Sequence, residues 1–216
     1  MRPPTRRPHE GPRRAPAGAP ALAPEDGLPR CRWPGRDALY VRYHDEEWGV
    51  PVHDDAAHFE QIALSVFQAG LNFLMVLRRR EQLRAAFAGF DPRLVADFDD
   101  DRLVELRELP GVIRNVAKIR AVRTNARAMV GIAREFGSFD AFAWGFVDGC
   151  PVVNQEPDES RIACWDARSD ALSAELRRRG FAFTGTKMAY AYMQAVGLLN
   201  DHAPHCFCWR ALQADA

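Results

Sequence analysis

Apolar residues recur along most of this chain at the three- and four-residue spacing of an α-helix, and no stretch shows the sustained alternation of a half-buried strand. The clearest example is one broad apolar face from Phe59 to Leu77, in a helical region that we expect to be interrupted around Gly70. Two shorter helices are predicted from Arg79 to Phe87 and from Asp99 to Leu106. The pattern therefore predicts an all-α fold.

Capping residues predict where the other helices begin and end. Asp91 followed by Pro92 is typical of a helix start, because Asp accepts from free backbone N–H groups and Pro suits the first helical position. The remaining helices are expected over Arg114 to Phe136 with a stop at Gly137, from Ser138 onward, from Ser169 to Gly180, and over Thr186 to Leu199.

The first 30 residues differ in composition from the rest of the chain. They contain eight of the 15 prolines and show no apolar periodicity, so we predict a disordered tail over residues 1–30, a domain over 31–210 and a C-terminal tail over 211–216. Six Arg and three acidic residues give this tail a charge of +3, which leaves −3 on residues 31–216. The tail could tether DNA or be a solvated extension, and the body is not the basic surface of a general nucleic-acid binder.

Composition excludes several protein classes. No apolar run approaches the roughly 18 residues of a membrane span, and residues 1–30 lack the apolar region of a secretory signal. We therefore expect a cytoplasmic monomer whose five Cys are reduced or metal-bound. The chain has no phosphate-binding Gly-rich loop of the dinucleotide or nucleoside-triphosphate kind, so no nucleotide cofactor is expected.

Two Cys–His pairs stand near the two ends of the predicted domain. Cys31 precedes His44 with twelve residues between them, and His202 precedes Cys206 with three. Two thiolates and two imidazoles satisfy tetrahedral zinc, and such a closed site would join the two ends. The spacing alone leaves open the alternative of buried Cys and surface His, because His205 and Cys208 lie close by and confuse the ligand choice.

Two further patterns indicate contact with nucleic acid. Four aromatic residues lie within sixteen positions, which is typical of a surface that stacks planar and especially cationic bases, although a small satellite core is the alternative; they are Trp33, Tyr40, Tyr43 and Trp48. The turn at Gly111 leads into a helix that carries Arg114 and Lys118, an arrangement that suits a phosphate but also describes an ordinary interhelical turn.

Together these residues resemble the 3-methyladenine DNA glycosylase I family from about Cys31 to Cys206. The resemblance is carried by Arg30-Cys31-Arg32-Trp33, Tyr43-His44-Asp45-Glu46-Glu47-Trp48-Gly49-Val50-Pro51, Gln68-Ala69-Gly70-Leu71, Phe90-Asp91-Pro92, Ser169-Asp170-Ala171-Leu172, Arg179-Gly180-Phe181, Met193-Gln194-Ala195, and Asn200-Asp201-His202. It implies a helix-hairpin-helix glycosylase that excises alkylated purines, chiefly 3-methyladenine, from double-stranded DNA in base excision repair.

The resemblance also implies roles for individual residues. It places a structural zinc on Cys31, His44, His202 and Cys206, and the extruded base among Trp33, Tyr40, Tyr43, Trp48 and Phe73. It places Gly70 and Leu71 against the duplex at the emptied position, and Gly111, Arg114 and Lys118 in the hairpin region. Tyr43 and Ser65 are the candidate catalytic residues.

The chain departs from the family pattern inside the predicted pocket. Ser65 and Phe73 stand where family members commonly carry Glu and Trp, and a neutral Ser accepts hydrogen bonds from a charged base only weakly. Three interpretations follow: a working glycosylase with shifted lesion preference, a non-catalytic relative that binds lesions, or an ordinary branch with unchanged activity. We favour catalysis, because four pocket aromatics would be costly to expose without a ligand.

Overall fold

The computed structural model describes residues 25–156 and 158–214. Within these residues the chain is almost entirely helical, which confirms the predicted all-α class. The α-helices, numbered in chain order, are α1 (Ala38–Glu46), α2 (Asp55–Gln68), α3 (Phe73–Leu77), α4 (Arg80–Ala86), α5 (Pro92–Ala96), α6 (Asp100–Glu108), α7 (Val116–Phe136), α8 (Phe139–Trp144), α9 (Ala167–Arg178), α10 (Thr186–Ala195) and α11 (Phe207–Ala214). Short 3-10 turns lie at Ala88–Phe90, Gly145–Val147 and Glu159–Arg161.

Three of the predicted helix starts are confirmed by capping side chains. The side chains of Asp91, Asp99 and Ser138 accept backbone N–H groups at the starts of α5, α6 and α8, and Gly137 ends α7. The start predicted at Ser169 is wrong, because Asp166 is the N-cap of α9. Ser169 lies one turn later, and its hydroxyl accepts from the backbone N–H of Asp166 in a reciprocal capping box.

The last apolar helix is shorter than the sequence predicts. α10 ends at Ala195, and Leu199–Asn200 forms a two-residue strand, β2, which pairs in parallel with β1 (Val152–Val153). Gly197 explains the break: its φ is +76°, and a Cβ there would lie 2.5 Å from the backbone of Pro51. The chain must turn at this position, and only glycine allows the close approach.

Two helices lie where no helix was predicted. In α1 the aromatic density hid the helical pattern, although Asp37 caps its first turn. α11 extends through residues 211–214 of the predicted C-terminal tail, and residues 215–216 lie outside the described part of the chain. Leu212 of α11 approaches Gly49, which gives this last helix an apolar contact with the domain.

The predicted N-terminal tail is described only from residue 25 onward, and residues 1–24 lie outside the described range. Arg30 binds the carboxylates of Asp26 and Asp45, and the carbonyl of Pro29 accepts a hydrogen bond from the backbone N–H of Phe207. The segment from Asp26 to Arg30 therefore contacts the domain.

The core lies around the longest helix, α7, which packs against α2, α5, α6 and α8. Fully buried Phe59, Ile62 and Phe67 of α2 form part of this core, and each contributes about 1.5–3 kcal/mol by leaving water. Burial of this face holds α2 in place, and the opposite side of the helix lines the cavity described below. No described helix is long and apolar enough to cross a membrane.

Candidate functional site

The aromatic residues singled out in the sequence line one cavity of about 410 Å³. We call it the aromatic cavity, and the rings expected there from the sequence are Trp33, Tyr40, Tyr43, Trp48 and Phe73. Tyr40 and Tyr43 lie one turn apart on α1 and stack with ring centroids 6.4 Å apart, while Phe73 at the start of α3 is 5.1 Å from Tyr43. Trp33 meets Tyr40 and Trp48 edge to face at 4.8 and 5.1 Å. The rings thus form walls around an open space.

The tyrosines of the aromatic cavity are neutral phenols. Tyr43 is only 3% exposed, and burial raises the pKa of its hydroxyl well above the usual range. Burial likewise raises the pKa of Tyr40. A neutral phenol keeps its proton and can donate a hydrogen bond at any physiological pH.

Ser65 lies on the cavity face of α2 but has little hydrogen-bonding capacity to offer. Its hydroxyl donates to the backbone carbonyl of Gln61 over 2.8 Å, so only oxygen lone pairs remain for a ligand. Gln61 and Gln68, one turn before and after it, also line the cavity. The α2 wall is therefore polar and uncharged.

Helix α10 supplies a wall that sequence reasoning missed. Lys187, Tyr190, Ala191 and Gln194 recur at helical spacing and all line the aromatic cavity. Oδ2 of the buried Asp201 accepts hydrogen bonds from Tyr190 and from Gln194, each 2.8 Å long. Burial raises the pKa of both Tyr190 and Asp201. The spacing of these residues along one apolar helix is the signal that could have found them.

The connection between β1 and α9 closes another side of the aromatic cavity. Glu159, Ile162, Ala163 and Cys164 from this connection line it. None of these four residues belongs to a motif identified in the sequence.

The four predicted metal ligands lie together in the structure. Cys31, His44, His202 and Cys206, which we call the metal cluster, are all buried, and their ligand atoms lie within 4.8 Å of one another. Sγ of Cys206 is 3.6 Å from Nε2 of His44 and 3.5 Å from Nδ1 of His202, and Sγ of Cys31 is 3.7 Å from that same Nδ1. This cluster could hold a metal ion.

The opposite ring nitrogen of each cluster histidine has its own partner. Nδ1 of His44 is 2.7 Å from a carboxylate oxygen of Asp45, and Nε2 of His202 is 2.9 Å from the carbonyl oxygen of Trp48. These acceptors fix both rings with the unprotonated nitrogen directed at the thiols. Hydrogen bonds from Cys208 and Cys31 lower the pKa of the Cys206 thiol.

The positions of His205 and Cys208 distinguish them from the four predicted metal ligands. His205 has a half-exposed side chain that points to Glu159 rather than to the metal cluster. Cys208 is buried and forms a second possible metal-binding group with His44 and Asp45. This second group shares His44 with the metal cluster.

The metal cluster supports the aromatic cavity. The ring of Trp33 lies 5.4 Å from that of His44, and the ring of Trp48 lies 4.6 Å from that of His202. Cys31 itself lines the cavity. A change in the cluster would therefore reach two of the cavity's aromatic walls.

The residues predicted to contact DNA fall into exposed and buried groups. Gly70 and Leu71 form an exposed turn after α2, where Gly70 has a φ of +75°. Gly111 and the exposed Arg114 lie in the connection between α6 and α7. These two surfaces are neighbours, since Lys118 of α7 donates a hydrogen bond to the carbonyl of Ala69 at the turn after α2.

The surface role predicted for Lys118 is not supported by its position. Lys118 is 5% exposed, and its ammonium group donates to the backbone carbonyls of Phe67 and Ala69 over 2.8 and 2.7 Å. Burial lowers its pKa. The sequence shows a basic residue one turn into a helix, but packing turns it inward, where it satisfies free carbonyls at the end of α2.

A buried ion network lies behind the cavity wall. Arg80 of α4 binds both Glu47, next to α1, and Glu60 of α2, and Arg84 also binds Glu60. Glu60 is 7% exposed. Its carboxylate is fully used by the two arginines, so Glu60 does not substitute for a carboxylate at Ser65.

Comparisons with known proteins give a consistent result. A family model described as methyladenine glycosylase matches residues 33–209. The DNA-3-methyladenine glycosylase 1 of Escherichia coli (strain K12) is 43% identical over 182 residues, which cover 84% of this chain and 97% of that protein. The DNA-3-methyladenine glycosylase of Haemophilus influenzae is 40% identical over 179 residues, which cover 83% of this chain and 97% of that protein.

Solved structures agree with the sequence comparison. A crystal structure of 3-methyladenine DNA glycosylase I matches with a TM-score of 0.81 and 44% identity over 83% of this chain and 99% of that one. A structure concerned with 3-methyladenine recognition by the Staphylococcus aureus protein matches with a TM-score of 0.80 and 31% identity, over 82% of this chain and 95% of that one. The helical architecture described above is therefore shared with these structures.

Proposed function

Since this chain belongs to the methyladenine glycosylase family, we propose that it removes alkylated purines, chiefly 3-methyladenine, from DNA by hydrolysing the N-glycosidic bond. The observation that carries this proposal is the aromatic cavity, in which six aromatic rings surround a space of about 410 Å³ beside an exposed turn. A planar base turned out of the duplex suits such a site.

The chemistry required of the protein is modest. A purine nucleotide alkylated at N3 carries a positive charge, which makes the base a good leaving group and lowers the barrier to breaking its glycosidic bond. The faces of Tyr43, Trp33 and Phe73 attract such a cation and hold it out of the stack. The neutral Tyr43 phenol can donate a hydrogen bond to the base, while Ser65 can only accept one.

The exposed surface beside the cavity supplies the DNA contacts in this proposal. The Gly70-Leu71 turn presses on the duplex where the base has left. Helices α6 and α7, with the connection between them, form the helix-hairpin-helix motif that binds the DNA backbone. Free backbone N–H groups near Gly111 and the Arg114 side chain suit a phosphate. Lys118 acts indirectly, because it binds Ala69 and so holds the turn against α7.

We propose that the metal cluster holds a structural zinc ion. Zn–S bonds of about 2.3 Å and Zn–N bonds of about 2.0–2.1 Å in a tetrahedron place sulfur and nitrogen roughly 3.6 Å apart, and the three S···N distances in the cluster are 3.5, 3.6 and 3.7 Å. The residues therefore fit the ion. With four protein ligands no position is left for substrate, so the zinc would stabilise the fold and take no part in hydrolysis.

The non-catalytic interpretation is not favoured. Relatives that match this chain along 97% of their own length carry the name of the enzyme. We therefore keep the catalytic interpretation, in which the protein acts on DNA that contains alkylated bases.

The test is release of free bases from randomly methylated duplex DNA, identified by mass spectrometry. The protein should release 3-methyladenine, and Trp33→Ala should lower the rate roughly 5- to 150-fold, because stacking is worth about 1–3 kcal/mol per base. Phe136→Ala removes another exposed aromatic, 44% accessible and outside the cavity lining, and should leave the rate unchanged. Retained DNA binding without release of any base would contradict the proposal.

Ser65→Glu should increase the release of 3-methyladenine. A carboxylate on α2 would accept a charge-assisted hydrogen bond from the base, worth about 1.5–3 kcal/mol or about one to two orders of magnitude in rate. Ser65→Gln is the matched control, since it adds the same bulk without the charge. Equal rates for the Ser65→Glu variant and the unchanged protein would mean that the pocket recognises its base in another way.

A further inference from the structure

The aromatic cavity needs a negative charge to distinguish a cationic base from a neutral one beyond what aromatic rings provide. Among the described residues that line it, those with charged side chains are Glu159, Lys187 and Asp201. Lys187 has the wrong sign. The charge of Asp201 is partly compensated by Tyr190 and Gln194, which both donate hydrogen bonds to its Oδ2. Glu159 is therefore the carboxylate to consider.

Glu159 lies in the 3-10 turn Glu159–Arg161, in the connection between β1 and α9. It lines the aromatic cavity and also a second, adjoining pocket that includes His205. Trp33 lines both pockets as well. Its side chain is only 17% exposed. Its Oε2 accepts a hydrogen bond of 2.7 Å from the backbone N–H of Arg32, which holds the carboxylate next to this aromatic wall.

The other carboxylate oxygen is not satisfied. Oε1 of Glu159 is buried and has no hydrogen-bond partner among the described residues, and Nε2 of the half-exposed His205 lies 3.4 Å from it. A buried polar atom without a partner is costly and calls for an explanation in a native structure. A positively charged ligand in the cavity would compensate this charge.

We propose that Glu159 is the residue that selects positively charged bases in the aromatic cavity, an inference that rests on the proposed function. The selection acts through charge and does not require a direct hydrogen bond, because a unit charge about 10 Å away at an effective dielectric constant of about 20 favours a cation by roughly tenfold. A carboxylate from a different part of the chain thus supplies the charge that the uncharged α2 wall lacks.

The experiment measures the binding of two bases by quenching of tryptophan fluorescence in the full chain, with Trp33 and Trp48 as reporters. One probe is adenine methylated at N3 and N9, which is permanently positive, and the other is neutral adenine methylated at N9. Glu159→Gln should weaken binding of the cation roughly tenfold with little effect on the neutral base. Glu159→Asp keeps the charge and should keep most of the preference.

Two further variants keep this test decisive. Asp101→Asn makes the same charge change at an exposed side chain of α6, outside the cavity lining, and should alter neither affinity. Glu159→Leu removes the unsatisfied oxygen and should fold at least as well as Glu159→Gln, so the charge can be tested even if the amide is poorly tolerated.

The outcomes separate this inference from the proposed function. If the unchanged protein binds neither base and releases none from methylated DNA, the proposed function fails. If it prefers the cation and both Glu159→Gln and Glu159→Leu keep that preference, only the assignment of Glu159 is overturned. If the double variant Glu159→Gln with Ser65→Glu regains the preference for the cationic base, the assignment of Glu159 is supported further.

Discussion

Replacing Cys206 by alanine is expected to lower the melting temperature of the protein by more than about 10 °C. Cys206 contacts both cluster histidines. Without it the site loses a ligand, and zinc binding, which stabilises only the folded state, is largely lost. Calorimetry together with metal analysis by atomic emission checks this prediction.

The same experiment has a chemical counterpart. A strong chelator should lower the melting temperature of the unchanged protein by a similar amount and have little further effect on Cys206→Ala. Cys150→Ala, which removes an exposed thiol outside the cluster, should melt normally. An unchanged melt after verified loss of the metal would rule out a structural role for the ion.

Replacing Arg80 by methionine is expected to destabilise the fold by about 3 kcal/mol. This arginine joins Glu47 to Glu60, and its removal leaves the buried carboxylate of Glu60 with Arg84 alone. The change should also slow base release, because α1 and α2 carry opposite walls of the aromatic cavity. Urea unfolding gives the free energy, and the methylated-DNA assay gives the rate.

A double-mutant cycle separates the ion pair from simple packing. In Arg80→Met combined with Glu60→Leu no buried charge is left unpaired by the change, so the double variant should be more stable than the sum of the single effects predicts. Arg78→Met breaks an ion pair of a half-exposed arginine with Asp37 and should cost less than about 1 kcal/mol. Strict additivity in the cycle would show that the network contributes no specific coupling.

Local signals in the sequence predicted much of the fold, because caps and breaks act over a few residues. Asp91, Asp99, Ser138 and Gly137 mark helix ends in the sequence and in the structure alike. The end of α10 was mispredicted because Gly197 turns the chain to meet Pro51, a contact between residues far apart in sequence. Apolar periodicity continues past this point and carries no information about such a contact.

In the candidate site, too, features set by nearby residues were predicted and contacts between distant residues were not. The aromatic residues cluster in sequence and so were identified, whereas Tyr190 and Asp201 reach the cavity only through tertiary packing. Lys118 illustrates the opposite error: its exposure could not be read from the chain, and its partners at Phe67 and Ala69 lie about 50 positions earlier. The metal ligands were paired by resemblance, and their burial and ring partners became visible only in the fold.

The distance between the metal ligands along the chain bears on how the protein is made. Cys31 and His202 lie 171 positions apart, yet their side chains meet in one cluster beside Trp33 and Trp48. During translation the first half of this cluster therefore leaves the ribosome long before its partners exist. We expect Trp33 and the early helices to remain without their final support until residues 202 to 206 emerge, so that a ribosome-bound chain cannot yet bind a base.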